Sequence, residues 1–170
     1  MDTAEIISNL AAEIGTKAPF LLARQYADTI AANAVRIYPR APRWFAWLFI
    51  AVVDRETGWK NILGDNGHGH GLPQIDDRTW GKWLAANENG LNPLTAIPKG
   101  MEILADSLQT FYPNYRAGVA AYNCGAGNVR RSLKDSGGAS PDLYTTGHNY
   151  GLDVLHRFRR FVPPGPLDPA

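Results

Sequence analysis

The sequence predicts a predominantly helical α+β fold with a short β-hairpin or irregular strand segment at about residues 61–76. Three observations carry that expectation. Apolar residues recur at intervals of three and four through residues 6–38, the run from Trp44 to Val53 is almost wholly apolar, and glycines at 64, 67, 69 and 71 make a long helix improbable in the stretch that follows.

Thr3 is a candidate cap for a first helix, in which Ile6, Ile7, Leu10, Ala11 and Ile14 share a face and Gly15 marks the end. Phe20, Ala23, Ala27, Ile30, Ala34 and Tyr38 continue the stripe in a second helix that Pro39 and Pro42 terminate. A third helix, from about Arg43 to Thr57, is apolar nearly all round and is therefore central to the core, with Gly58 suited to its C-terminal cap. The glycine-rich stretch then forms a cleft wall, and Asp77 reads as the cap of a helical segment beginning Arg78-Thr-Trp. Pro98 marks the start of a long amphipathic helix carrying Met101, Leu104, Leu108 and Phe111, ended by Pro113. Two shorter helices, Arg116 to Tyr122 and Asn128 to Leu133, flank a turn at Gly125 and Gly127. A last helix carries Tyr150, Val154, Leu155, Phe158 and Phe161. Four prolines within residues 163–170 forbid helix there and predict a loosely ordered tail.

At 170 residues with 45% hydrophobic content, the expectation is one domain, residues 1–162, with N-terminal helices in 1–43, a core in 44–162 and a Pro-rich tail in 163–170. No repeat or linker divides it. Lys and Arg total 17 against 16 Asp and Glu, so a formal charge of +1 gives no global field for nucleic acid or an anionic membrane. The longest apolar run is about half of the roughly 20 residues a membrane helix needs, which argues against membrane insertion. The single Cys124 cannot form an internal disulfide, and Met1-Asp-Thr-Ala-Glu has neither the basic start nor the apolar core of a secretory signal, so synthesis in a reducing cytoplasm is expected.

Glu56 ends the apolar run, and Asp65, Asp76 and Asp77 follow in the glycine-rich stretch. Phe49, Val52, Val53 and Glu56 fall at i, i+3, i+4 and i+7, which places the glutamate on a core face. Spacing leaves a second outcome open, a partly exposed glutamate paired with Arg55 or Lys60. A buried carboxyl keeps its proton because desolvation disfavours its charge, whereas loop carboxylates remain ionised. Two carboxyl groups in such unlike environments are what hydrolysis of a glycosidic bond requires.

Asp-Arg-Glu-Thr-Gly at 54–58, Gly-Asp at 64–65, Gly-His-Gly-Leu-Pro-Gln-Ile-Asp at 69–76 and Ala-Tyr-Asn-Cys-Gly-Ala-Gly-Asn-Val at 121–129 together resemble the goose-type lysozymes, from about Ile50 to Phe161. The last segment is the most specific; the glutamate and Gly-Leu-x-Gln segments are shared with lytic transglycosylases. The resemblance implies a lysozyme-like fold and an inverting muramidase that cuts the β-1,4 bond between N-acetylmuramic acid and N-acetylglucosamine in peptidoglycan glycan strands. It implies Glu56 as general acid and Asp76 as the base that handles water, with Asp65 either positioning that water or capping the glycine turn. Tyr122 and Tyr150 correspond to tyrosines facing the acid, although either side chain is equally at home in a core. Gln74 and Asn123 are candidate contacts to N-acetyl groups or backbone, and His70 joins the candidate substrate-binding set. Two departures stand out: Pro73 replaces the family's methionine and removes a backbone donor near Asp76, and Cys124 replaces an alanine as an inert small residue.

Of the five tryptophans, Trp44 and Trp47 are assigned to the core, while Trp59, Trp80 and Trp83 are better placed to stack on sugars. His68, His70 and Asp65 raise a metal-site alternative, but no third ligand is evident in an extended segment and no His-Glu-x-x-His motif occurs, so neither metal nor cofactor is expected. Gly64-Asp-Asn-Gly67 and Gly125-Ala-Gly127 lack the lysine of a phosphate loop and read as turns. The rival enzyme is a lytic transglycosylase, which closes the muramic acid C6 hydroxyl onto C1; a non-catalytic peptidoglycan- or chitin-binding module is a rival of another class. Delivery as a phage endolysin or a bacterial effector would imply a holin or an immunity protein as partner, with a monomer acting on the cell wall after release.

Overall fold

A computed structural model describes residues 3–162, with side chains described from residue 6 onward except that of Phe20. The side chain of Thr3, the suggested cap, and the Pro-rich tail at 163–170 lie outside what is described. Helices α1 (Thr3–Gly15) and α2 (Phe20–Ile37) pair with each other and lead into α3 (Pro42–Glu56). Strands β1 (Leu63–Gly64), β2 (Gly69–His70) and β3 (Ile75–Asp76) follow, then α4 (Asp77–Ala86), α5 (Pro93–Phe111), α6 (Tyr115–Asp135) and α7 (Tyr150–Phe161). The helical α+β expectation is met.

Helix α3 is the axis of the molecule. Every residue from Trp44 to Asp54 is buried, as an all-round apolar helix must be, and α2 and α7 pack on either side of it. Leu10 and Ile14 of α1, Ala23, Ala27, Ile30 and Ala34 of α2, and Met101, Leu104 and Leu108 of α5 complete the same core. Gly58 follows the helix with φ +55°, the left-handed geometry that glycine adopts without a Cβ penalty.

The three strands are two residues each and antiparallel, in the order β1-β2-β3, with Leu63 opposite His70 and Gly69 opposite Asp76. Ile75, Leu84 and Ala96 form a small second core beneath this sheet. Among the described residues no helix is long and apolar enough to cross a membrane.

The structure corrects three local expectations. The N-cap of α4 is Asp76, whose side chain accepts from the Thr79 amide, and Asp77 is one residue inside the helix. Helix α5 begins at Pro93, capped by Asn92, so Pro98 lies within it rather than at its start; the earlier Asn-Pro pair is the stronger start signal. The two helical segments expected around Gly125 are present: α6, from Tyr115 to Asp135, breaks at Gly125 (φ 79°, ψ 153°), where two helices meet at a kink. Trp59 is buried at 6% exposure and stacked on Tyr26 with ring centroids 6.2 Å apart, so it belongs to the core, not to a sugar platform.

Candidate active site

A cleft of about 940 Å³ runs between the end of α3, the strand segment, α5 and α6. Glu56, Asp65, Asp76, Gln74, Asn123, Tyr122 and Tyr150 all line it. His70 is not part of the lining; its Nδ1 lies 2.8 Å from the Asn89 carbonyl and its Nε2 is 3.8 Å from Asp77.

Glu56 is the last residue of α3 and is only partly open to the cleft. Its carboxyl is desolvated by the surrounding protein, which raises its pKa from 4.5 to about 7; the Tyr150 hydrogen bond and the charge of Arg55 oppose that rise without cancelling it. The Tyr150 hydroxyl donates to Oε1 at 2.5 Å. Tyr150 is the first residue of α7, buried at 1% exposure, and burial together with the neighbouring Glu56 pushes its phenol well above the ordinary range, so the hydroxyl stays a donor. Tyr122 lies in the same electrostatic neighbourhood as Glu56, but its hydroxyl donates to the Pro73 carbonyl at 2.7 Å. Pro73 is therefore a fixed acceptor, and the missing amide costs the site nothing visible.

Neither alternative partner neutralises Glu56. Arg55 is turned to Asp153, with Nε to Oδ2 at 2.8 Å, and Lys60 is exposed. Beneath this layer Asp54, 7% exposed, is ion-paired with both Lys17 and Arg157, the latter at 2.5 Å. That buried acid was not apparent from spacing, because it sits within an apolar run whose neighbours gave no sign of partners so distant in sequence.

The strand segment and the start of α4 bring the loop carboxylates to the same cleft. Asp65 and Asp76 share Arg78: its Nη2 meets Asp65 Oδ2 at 2.8 Å, and its Nε meets Asp76 Oδ2 at 2.9 Å. The hydrogen bond from Arg78, with its positive charge and the Thr79 amide, holds the Asp76 carboxyl below its ordinary range. Sequence reasoning missed Arg78, although the adjacent Asp-Asp-Arg run offered a signal. Gln74, in left-handed geometry at φ 52°, donates to the carbonyls of Gly71 at 2.8 Å and Ile62 at 3.2 Å, so its amide ties the strand segment together. Asn123 accepts from the Thr146 amide at 2.9 Å and fixes the loop before α7. Trp80 lines the cleft beneath Lys99, whose ammonium is 3.5 Å from the ring centroid. Cys124 also lines the cleft instead of being fully buried, and partial burial pushes its thiol up to about 11, leaving it protonated and unreactive at neutral pH.

Among the described residues no group of three or more His, Cys, Asp or Glu side chains could hold a metal ion. The site thus brings an acid poised near neutrality into the same cleft as the Asp65 and Asp76 carboxyls.

Comparison with known proteins points the same way. The family described as Transglycosylase SLT domain matches residues 42–145, more than half of the chain. Lysozyme G of Dromaius novaehollandiae is 35% identical over 130 residues, covering 67% of this chain and 57% of its own. Lysozyme g of Casuarius casuarius is 35% identical over 122 residues, covering 65% and 56%. Lysozyme g of Gallus gallus is 32% identical over 115 residues, covering 62% and 49%. The matched region spans about half the length of these curated relatives.

Proposed function

The chain belongs to the transglycosylase SLT-domain family of lysozyme-like proteins, and from that membership we propose that it cleaves the β-1,4 bond between N-acetylmuramic acid and N-acetylglucosamine in peptidoglycan. The observation that carries this is Glu56, whose carboxyl titrates at about 7 in the cleft that Asp65 and Asp76 also line. Glu56 donates its proton to the glycosidic oxygen as the C1–O bond breaks. A water attacks C1 from the opposite face, and Asp76 with Asp65 orients it and takes its proton, giving inversion. The Tyr150 hydroxyl holds the acid in the orientation that reaches the leaving oxygen. Tyr122, Gln74 and Asn123 shape the glycan-binding surface, while the placement of His70 outside the lining argues for a supporting role in the cleft wall.

One observation favours a second outcome, lytic transglycosylation, in which the muramic acid C6 hydroxyl attacks C1 and returns its proton to Glu56. Asp76 is already occupied by the Thr79 amide and by Arg78, so it is a weak base. Mass spectrometry of muropeptides released from purified walls separates the two: hydrolysis leaves reducing muramic acid ends, transglycosylation leaves 1,6-anhydro ends. Reducing ends are expected. Predominantly anhydro ends would replace the hydrolase assignment, and no release at all would leave the glycan-binding module.

A further inference from the structure

The two aspartates that line the cleft with Glu56 share a single cation, and the way they share it is unequal. Asp76 is engaged at both oxygens, Oδ1 by the Thr79 amide at 3.2 Å and Oδ2 by Arg78. Asp65 is engaged by Arg78 through Oδ2 and is 57% exposed at the cleft. Arg78 itself is 59% exposed, in the first turn of α4. Exposed ion pairs contribute little to folding stability, so an arginine held in two of them here is better explained by what it orients than by what it stabilises.

We propose that Arg78 is the positioning residue of the cleft, bridging Asp65 to the capped Asp76 so that Asp65 offers its second carboxylate oxygen to the attacking water. Within that bridge Asp76 is the fixed post, anchored through the N-cap of a ten-residue helix. Asp65 is the adjustable arm, on a segment whose backbone is already left-handed at Asp65 and Asn66, with φ of 46° and 56°. Without the guanidinium the two carboxylates repel each other, and among the described residues Asp65 has no other side-chain hydrogen bond or ion pair to fix its direction. The remaining charges around the bridge are otherwise occupied or lie across the cleft. Asp77 is turned to His68 at 2.9 Å and lies 3.8 Å from His70, Arg55 is paired with Asp153, and Glu56 and Asp106 face in from α3 and α5. This role rests on the glycosidase reading given above.

The test is steady-state cleavage of soluble peptidoglycan fragments by the full chain and by Arg78→Gln and Arg78→Lys, with kcat and KM measured across pH. For Arg78→Gln, kcat falls ~10-fold to ~100-fold while KM changes little, as expected for a misdirected water and not for lost glycan contacts. The acidic limb of the profile moves to higher pH, because a carboxylate without its cation is protonated more easily. Arg78→Lys keeps the charge but loses the two-armed bridge, so it restores the acidic limb more fully than it restores kcat. Thermal melting shows whether each variant folds. A folded Arg78→Gln with unchanged kcat and acidic limb overturns the role while leaving the glycosidase assignment standing. If Arg78→Gln does not fold, a wild-type profile for Arg78→Lys overturns it equally. A wild-type chain that cleaves no glycan overturns the assignment and this role together.

Discussion

The Tyr150 hydroxyl and the Glu56 carboxyl meet at 2.5 Å across 94 residues of sequence, joining the start of α7 to the end of α3. This bond favours the ionised form of Glu56, and burial favours the protonated form; burial wins, since the group titrates at about 7. The phenol therefore restrains the pKa of Glu56 and, on the proposed mechanism, aims its proton. Tyr150→Phe removes that restraint, so Glu56 stays protonated to higher pH and the alkaline limb of activity moves upward. Loss of orientation lowers kcat about tenfold, the worth of a hydrogen bond to a charged group at its modest end. A pH–rate profile of the variant checks both, and a limb that moves to lower pH would contradict the assignment of Glu56 as the acid.

On the proposed mechanism Glu56→Gln is expected to abolish cleavage, because the amide has no proton of suitable acidity to give. It also makes the protein more stable at neutral pH. The pKa of Glu56 is raised on folding, so its stabilising contribution is fully present below the unfolded value near 4.5 and is lost as pH rises through about 7. The difference corresponds to at most about 3 kcal/mol at ~1.4 kcal/mol per unit, an upper bound because the group opens onto solvent. The amide never ionises and so escapes the loss. Denaturation with urea at pH 8 and at pH 4 measures the gap, which is expected to favour the variant at pH 8 and to close at pH 4.

Asp142 supports the same tyrosine from behind. It is fully buried, pairs with Arg116 Nε at 2.8 Å, and accepts from the Gly151 amide at 2.7 Å and from Thr145 Oγ1 at 3.3 Å. Those contacts clamp the N-terminus of α7, where Tyr150 begins. Asp142→Ala leaves a partly exposed arginine nitrogen and a buried helix-end amide without this partner, and costs about 1–3 kcal/mol. Asp142→Asn keeps the acceptor and folds, but weakens the clamp, so its pH–rate profile shifts in the same sense as that of Tyr150→Phe. Thermal melts and pH profiles of the two variants separate support from chemistry.

The sequence made the scaffold legible because it depends on local period. The apolar run through Val53 could only be a buried helix, whereas the i+7 spacing left two outcomes open for Glu56, and the structure shows the one in which its carboxyl is desolvated. The strand segment was visible in its glycines. Less visible was anything fixed by a one-residue choice or by a distant partner. Asp76 and Asp77 are adjacent, and only backbone geometry shows which of them caps α4. Trp59 looks like a surface aromatic until its φ of 67° turns it onto Tyr26. Arg78 reaches Asp65 only after the strand pairing has brought residues 65 and 78 together. Asp142, in a Ser-Pro-Asp stretch, resembles an ordinary turn acid, since the Arg116 that buries it lies on another helix.

Gln74 illustrates how a residue with a candidate substrate role also carries the cleft wall. Its side chain crosses the two glycines that open and close the β1–β2 turn: a Cβ at Gly64 would lie 2.0 Å from its Oε1, and one at Gly69 would lie 2.4 Å from it. The amide is held there by the carbonyls of Gly71 and Ile62, so it can yield only by giving up those bonds. Gly64 has φ −112°, ordinary for any residue, which makes Gly64→Ala a test of space alone. It is expected to cost about 1–3 kcal/mol, the range for overpacking with loss of a satisfied hydrogen bond, and to reduce cleavage through the displaced wall. In a Gln74→Ala background the three nearest atoms the new Cβ would meet are gone and the same substitution is expected to become nearly neutral, so a double-mutant cycle on unfolding free energy shows strong coupling. Additive effects would mean that the amide does not brace the strands, and would return Gln74 to a contact with glycan alone.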